Sequence, residues 1–97
     1  MTFEWDPEKN KANRIKHGIS FERVIAIWES VHLEVEDIAR SEEGEKRGAT
    51  MGLVEGKLYL AIWTRRADKI RLISVRRARR NEERIFTEKI QDDSGNG

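Results

Sequence analysis

Ninety-seven residues without a cysteine make one modest domain and exclude disulfides, thiolate chemistry and cysteine-ligated zinc. Charged residues reach 38% and apolar ones only 37%, against roughly 25% and 45–50% in an average globular domain. The core must be thin, so a surface groove is a better home for chemistry than a deep cavity. The net charge of +1 hides a division: residues 22–46 carry eight acids and three bases, residues 64–84 nine bases and three acids. Opposite poles suit a polyanion on one side and a basic protein on the other.

No apolar run approaches a membrane span and no signal peptide precedes the first strand, so a cytoplasmic protein is expected. The domain is expected over residues 1–91, followed by a flexible tail at 92–97.

Thr2 to Trp5 reads as a short strand. Asp6 then offers an N-cap and Pro7 suits the first helical position. The helix runs to about His17. Its thin apolar stripe is Ala12 and Ile15, which predicts that Lys9, Asn10, Asn13 and His17 face outward. Gly18 closes it and Ser20 caps a second helix, in which Phe21, Val24, Ile25 and Trp28 fall at core spacing. Val31 to Asp37 alternates as a half-exposed strand, and Ile38 to Lys46 reads as acidic loop. Arg47–Val54 and Lys57–Thr64 form a hairpin around Glu55-Gly56. Both faces of its second strand are apolar, which marks a central position. Lys69 to Arg77 is the next strand, with Ile70, Leu72, Ser74 and Arg76 assigned by parity to one, buried face. Ala78 to about Gln91 is a highly charged last helix. The sum is an α+β fold: an antiparallel sheet with two N-terminal helices and one C-terminal helix.

His17 and His32 stand apart and there is no metal-ligand spacing, no phosphate-binding glycine loop and no serine elbow. No cofactor is expected. The positive signal is cationic. Arg65, Arg66, Lys69, Arg71, Arg76, Arg77, Arg79 and Arg80 crowd one strand and its two junctions, and the arginine fork matches phosphate oxygens. Any one of them could be a solvated or ion-paired surface residue; the cluster together favours an anion-binding surface. Arg76 and Glu82 read equally as a structural ion pair or as a phosphate clamp with its orienting or proton-moving carboxylate. His17 reads as a helix-end residue or as a proton carrier. A non-enzymatic module that binds nucleic acid or protein through the basic segment 65–80 is the competing class.

Several of these residues also carry a resemblance. Trp5-Asp6-Pro7, Lys9, Asn13 and Lys16-His17-Gly18-Ile19-Ser20-Phe21, then Arg47, Gly52, Arg71-Leu72-Ile73-Ser74-Val75-Arg76, Arg77-Ala78 and Glu82, resemble the signature of the BrnT ribonuclease toxins. Glu83 departs from it, where a basic residue is common, as does Phe86, where tyrosine is expected. The resemblance implies a RelE-like fold and metal-independent cleavage of RNA that inhibits translation and growth. Taken with the cationic cluster, it suggests catalytic roles for Lys16, His17, Arg65, Arg76 and Glu82, and RNA contacts from Lys9, Asn13, Arg71, Arg77, Arg79 and Arg80. It also implies neutralisation by a BrnA-like ribbon-helix-helix antitoxin in a 2:2 heterotetramer, with operator DNA reached only through that antitoxin. The antitoxin contact is expected either at the strand near Leu33–Asp37 or in the cationic groove.

Overall fold

A computed structural model describes residues 2–40 and 44–95, with residues 36–40 and 92–95 described through the backbone alone. Five strands and three helices follow the order β1 (Thr2–Trp5), α1 (Pro7–His17), α2 (Phe21–Val24), β2 (His32–Arg40), β3 (Lys46–Val54), β4 (Lys57–Arg66), β5 (Lys69–Arg77) and α3 (Arg80–Gly95). The sheet order is β1-β5-β4-β3-β2. β2 through β5 are antiparallel neighbours, and β1 returns beside β5 in parallel. The α+β class and the placing of the helices match the sequence reading. The all-antiparallel sheet is corrected to a mixed one, because the N-terminal strand uses the free outer edge of β5.

Local signals set most boundaries. The Asp6 carboxylate accepts from the Glu8 N–H at 2.9 Å, Pro7 opens α1, and Gly18 closes it at φ 73°. The Ser20 hydroxyl accepts from the Arg23 N–H and starts α2. The expected second helix is cut short: after Val24 the chain tightens into a 3₁₀ turn over Ile25–Glu29. β-branched Val24, Ile25 and Ile27 are poor helix formers, and Ile27 is pressed against Gly52, where an added Cβ would come within 2.9 Å of the Ile27 Cβ. Glu55 and Gly56 both take positive φ, 52° and 78°, the turn that matches the twist of a two-residue hairpin. β2 runs on to Arg40 through a register shift between Val35 and Ala39, past the expected end at Asp37. The rest of the expected acidic loop includes 41–43, which lie outside the described residues. The tail expected at 92–97 overlaps the last turn of α3, where side chains lie outside the described residues.

The sheet buries its two faces unequally. One face carries Val54, Tyr59, Ala61, Trp63, Ile70, Leu72 and Val75 against Ile19, Phe21, Val24 and Ile27. Phe3, Trp5 and Trp28 extend this cluster, with Phe3 on Trp28 at 4.9 Å and Trp5 edge-on to Phe21 at 6.1 Å between ring centres. The opposite face has a smaller cluster of Leu58, Ala78 and Phe86, with Leu33, Met51 and Ile90 beside it. This is where α3 lies. Phe86, at the position where the resemblance led us to expect tyrosine, is buried in that cluster.

α1 is oriented the other way round from its predicted amphipathicity. Ile15 is 79% exposed, while Asn13 is 6% exposed. The asparagines are turned inward because they have polar work there. The Asn10 carbonyl oxygen accepts from the Phe21 N–H at 2.9 Å. Asn13 donates to the Ile19 carbonyl at 3.2 Å and accepts from the Val75 N–H at 3.1 Å. Unpaired backbone groups at these buried positions would each cost about 1–3 kcal/mol, comparable to the burial of one isoleucine.

Candidate active site

The site is set by one extra residue in β5. Opposite β4, Ile62 faces Ser74 but Trp63 faces Leu72, so Ile73 is inserted as a bulge. Such an insertion reverses the side-chain alternation beyond it. Ile70 and Leu72 point into the main core before the bulge, and Val75 does so after it. Arg76 therefore lies on the α3 face, paired across from Leu60. The parity reading, which put Arg76 on the face of Ile70 and Leu72, is overturned by this bulge.

On that face Arg76 meets Glu82, in the first turn of α3. Its Nη1 donates to Oε1 and its Nη2 to Oε2, both at 2.8 Å. Nη1 also donates to the Arg77 carbonyl at 3.2 Å. Glu82 Oε1 accepts in addition from the Arg79 N–H at 2.7 Å, so the same carboxylate caps α3. The two side chains are 27% and 19% exposed. The paired guanidinium holds the Glu82 carboxyl down at about 2, helped by the Arg79 N–H and opposed by burial. The pairing likewise raises Arg76. A guanidinium has five N–H donors. Three are engaged here, which leaves Nε–H and one Nη2–H. These two form the second fork of the group, and they have no partner among the described residues.

A shallow groove reaches β5 at Ser74, two residues before Arg76. It is lined by Lys9, Ala12, Asn13, Lys16 and His17 of α1 with Ile73 and Ser74 of β5. Ser74 and Arg76 share a face two residues apart, about 7 Å along the strand. The His17 ring is half-buried and makes no side-chain hydrogen bond or ion pair among the described residues. Lys9 and Lys16 are exposed. Ser74 was missed from the sequence; the clue was the apolar pattern Ile70, Leu72, Ile73, Val75, which fits no single parity.

The other predicted residues divide. Arg71 lies on the Arg76 face, 3.8 Å from Glu4. Arg79 and Arg80 are exposed at the start of α3. Arg77 is on the opposite face, stacked 5.6 Å from the Tyr59 ring. Arg65 also lies there, 5.3 Å from the Trp63 ring. It borders a cavity of about 350 Å³ lined by Lys46, Arg47, Trp63 and Thr64 among others. Since Arg65 pairs with Ile70 and Arg76 with Leu60, the two arginines are five residues apart along the sheet, roughly 17 Å, and on opposite faces. They cannot hold one phosphate group, which corrects their joint assignment. Asn13 is not outward-facing as expected, because both ends of its amide are bound inside the fold. His32 donates through Nδ1 to the Ser30 carbonyl at 2.7 Å.

Among the described residues, no three His, Asp or Glu side chains come together as a metal site, and no helix is long and apolar enough to cross a membrane. The arrangement is that of a small α+β domain with an arginine–carboxylate clamp two residues along β5 from a cationic groove, a form suited to holding a phosphodiester. The model of the ribonuclease toxin BrnT of type II toxin–antitoxin systems matches residues 5–82. The chain belongs to this family of ribonuclease toxins, whose toxin–antitoxin setting implies an RNA substrate and an antitoxin partner. No curated protein sequence matches the chain.

Proposed function

We propose that this chain is a metal-independent endoribonuclease whose reaction is centred on Arg76. The observation that carries the reading is the half-used guanidinium. Glu82 holds one fork of Arg76 and leaves the other for a phosphate, beside a groove lined by Lys16 and His17. The 2′-hydroxyl attacks the adjacent phosphorus, and His17 accepts its proton. The bond to the 5′-oxygen breaks, and that oxygen takes a proton from water in the open groove. The products are a 2′,3′-cyclic phosphate and a 5′-hydroxyl. Arg76 stabilises the charge that grows on the phosphorane oxygens, and Lys16 assists. Lys9, Arg71, Arg79 and Arg80 supply backbone contacts.

Glu82 is an orienting group here, not the proton acceptor. Both its oxygens are occupied, and a carboxyl held at about 2 is a weak base at neutral pH. In the cell, cleavage of RNA in the cytoplasm inhibits translation and growth. A BrnA-like ribbon-helix-helix antitoxin restrains it in a 2:2 heterotetramer and alone touches operator DNA.

The test is the purified chain on RNA in EDTA. A 2′,3′-cyclic phosphate end is expected. Strict dependence on magnesium sinks the mechanism, and tight RNA binding without cleavage returns the chain to the class of nucleic-acid-binding modules.

A further inference from the structure

Asn13 is the one residue of α1 that the fold buries, and its two amide bonds reach in opposite directions. Nδ2 donates to the carbonyl of Ile19, in the corner between α1 and α2. Oδ1 accepts from the N–H of Val75, sixty-two residues on. The position of that second bond is informative. β1 ends at Trp5, opposite Leu72. Beyond Leu72 the outer edge of β5 has no neighbouring strand among the described residues, and the bulge at Ile73 falls in that stretch. The Asn13 oxygen stands where a strand carbonyl would stand. It satisfies the first buried N–H on the core face after the bulge, and so favours the bulged register over a regular one. In a regular register Ser74 and Arg76 would turn toward the core and Val75 away from it.

We propose that Asn13 is a positioning residue for Arg76: it latches the β5 bulge and thereby fixes which face of the sheet receives the guanidinium. This rests on the ribonuclease reading only for its effect on rate. The latch also ties the α1 groove to the Arg76 clamp, since Ile73 and Ser74 of the bulge line the groove that contains His17 and Lys16. Val75, buried at 0% exposure, favours the same register. Asn13 is therefore not what makes the strand fold. Its contribution is to hold the strand closely enough for chemistry, where misplacement by about 1 Å can cost about 100-fold.

Two variants test this. Asn13→Leu keeps the volume and removes both hydrogen bonds. Asn13→Asp keeps the acceptor for Val75 and loses the donor to Ile19. Three quantities are read in each: hydrogen exchange of the Val75 amide, the NMR signals of the Arg76 guanidinium paired to Glu82, and kcat and KM on RNA. Asn13→Leu is expected to fold, to lose protection at Val75, to lose the paired Arg76 signals, and to drop in kcat by about 100-fold with KM little changed. Asn13→Asp is expected to keep Val75 protected and to keep the paired Arg76 signals. An Asn13→Leu chain with a freely exchanging Val75 amide, intact Arg76–Glu82 signals and wild-type kcat overturns the proposal. Should Asn13→Leu not fold, Asn13→Asp decides: Val75 protected with the paired Arg76 signals lost overturns it equally. If the wild-type chain cleaves no RNA, the ribonuclease reading fails instead, and the Arg76 signals alone decide whether Asn13 positions it.

Discussion

The two faces of the sheet make unlike use of a thin apolar supply. On one, α2 and the 3₁₀ turn complete a continuous core from Phe3 to Val75, with Arg65 stacked on Trp63 and Arg77 on Tyr59. On the other, α3 covers Leu58, Leu33 and Met51. In the next row across the strands Ala49, Ile62 and Ser74 are half-buried and Val35 is 57% exposed. A chain with so few apolar residues finishes one face and sets Arg71 and Arg76 on the less finished one. The lesson is that the cationic cluster of the sequence is two groups in space. Arg71 and Arg76 share the face of Ser74, which lines the groove, and Arg65 and Arg77 stand on the other.

The sharpest way to break this division is at Arg76. Arg76→Ala should lower kcat by about 100- to 1,000-fold in a chain that keeps its far-ultraviolet spectrum. Retained cleavage would reduce the clamp to a structural ion pair.

Acid addresses the same pair through stability. Because the Glu82 carboxyl is depressed from 4.5 to about 2 in the folded chain, its contribution is complete above pH 4.5 and fades as pH falls toward 2. Each unit is worth about 1.4 kcal/mol, so the pair accounts for on the order of 3 kcal/mol across that window. Glu82→Gln should flatten this part of a denaturation-against-pH curve; an unchanged curve places the acid sensitivity elsewhere.

On the finished face, Gly48 admits the Trp63 ring: an added Cβ would meet it at 2.5 Å. Gly48→Ala should cost about 1–3 kcal/mol by displacing Trp63 from its hydrogen bond to Thr50, 2.8 Å long. A lowered melting temperature with a changed tryptophan spectrum is the expected result. The smallest effect belongs to Arg65→Ala, which should leave kcat within about threefold. A loss as large as that of Arg76→Ala would show that the two faces cooperate in one site.

Features that depend on neighbours in the chain were legible. Asp6-Pro7, Gly18, Ser20 and Glu55-Gly56 each act through a bond or a φ value of their own, and all stand where they were read. The pairing of Arg76 with Glu82 was legible as one of two alternatives, from strand and helix spacing. What failed depended on distant partners. The inward asparagines of α1 answer N–H and carbonyl groups of Phe21, Ile19 and Val75 that no helical periodicity contains. The bulge answers to Asn13 and to the end of β1. Once parity slipped at Ile73, every face assigned after it slipped as well, Arg76 included.

The parallel pairing of β1 with β5 has a consequence in time. Thr2 finds its partner at Lys69, sixty-seven residues later, and closing so long a loop is among the slower events in folding a small domain. The Asn13–Val75 bond spans almost the same interval, and Glu82 enters later still. A chain made from the N-terminal side therefore carries His17 and Lys16 early but holds no clamp until Glu82 has been added. On the proposed mechanism, fragments from interrupted synthesis that stop short of residue 82 lack the clamp and cleave no RNA.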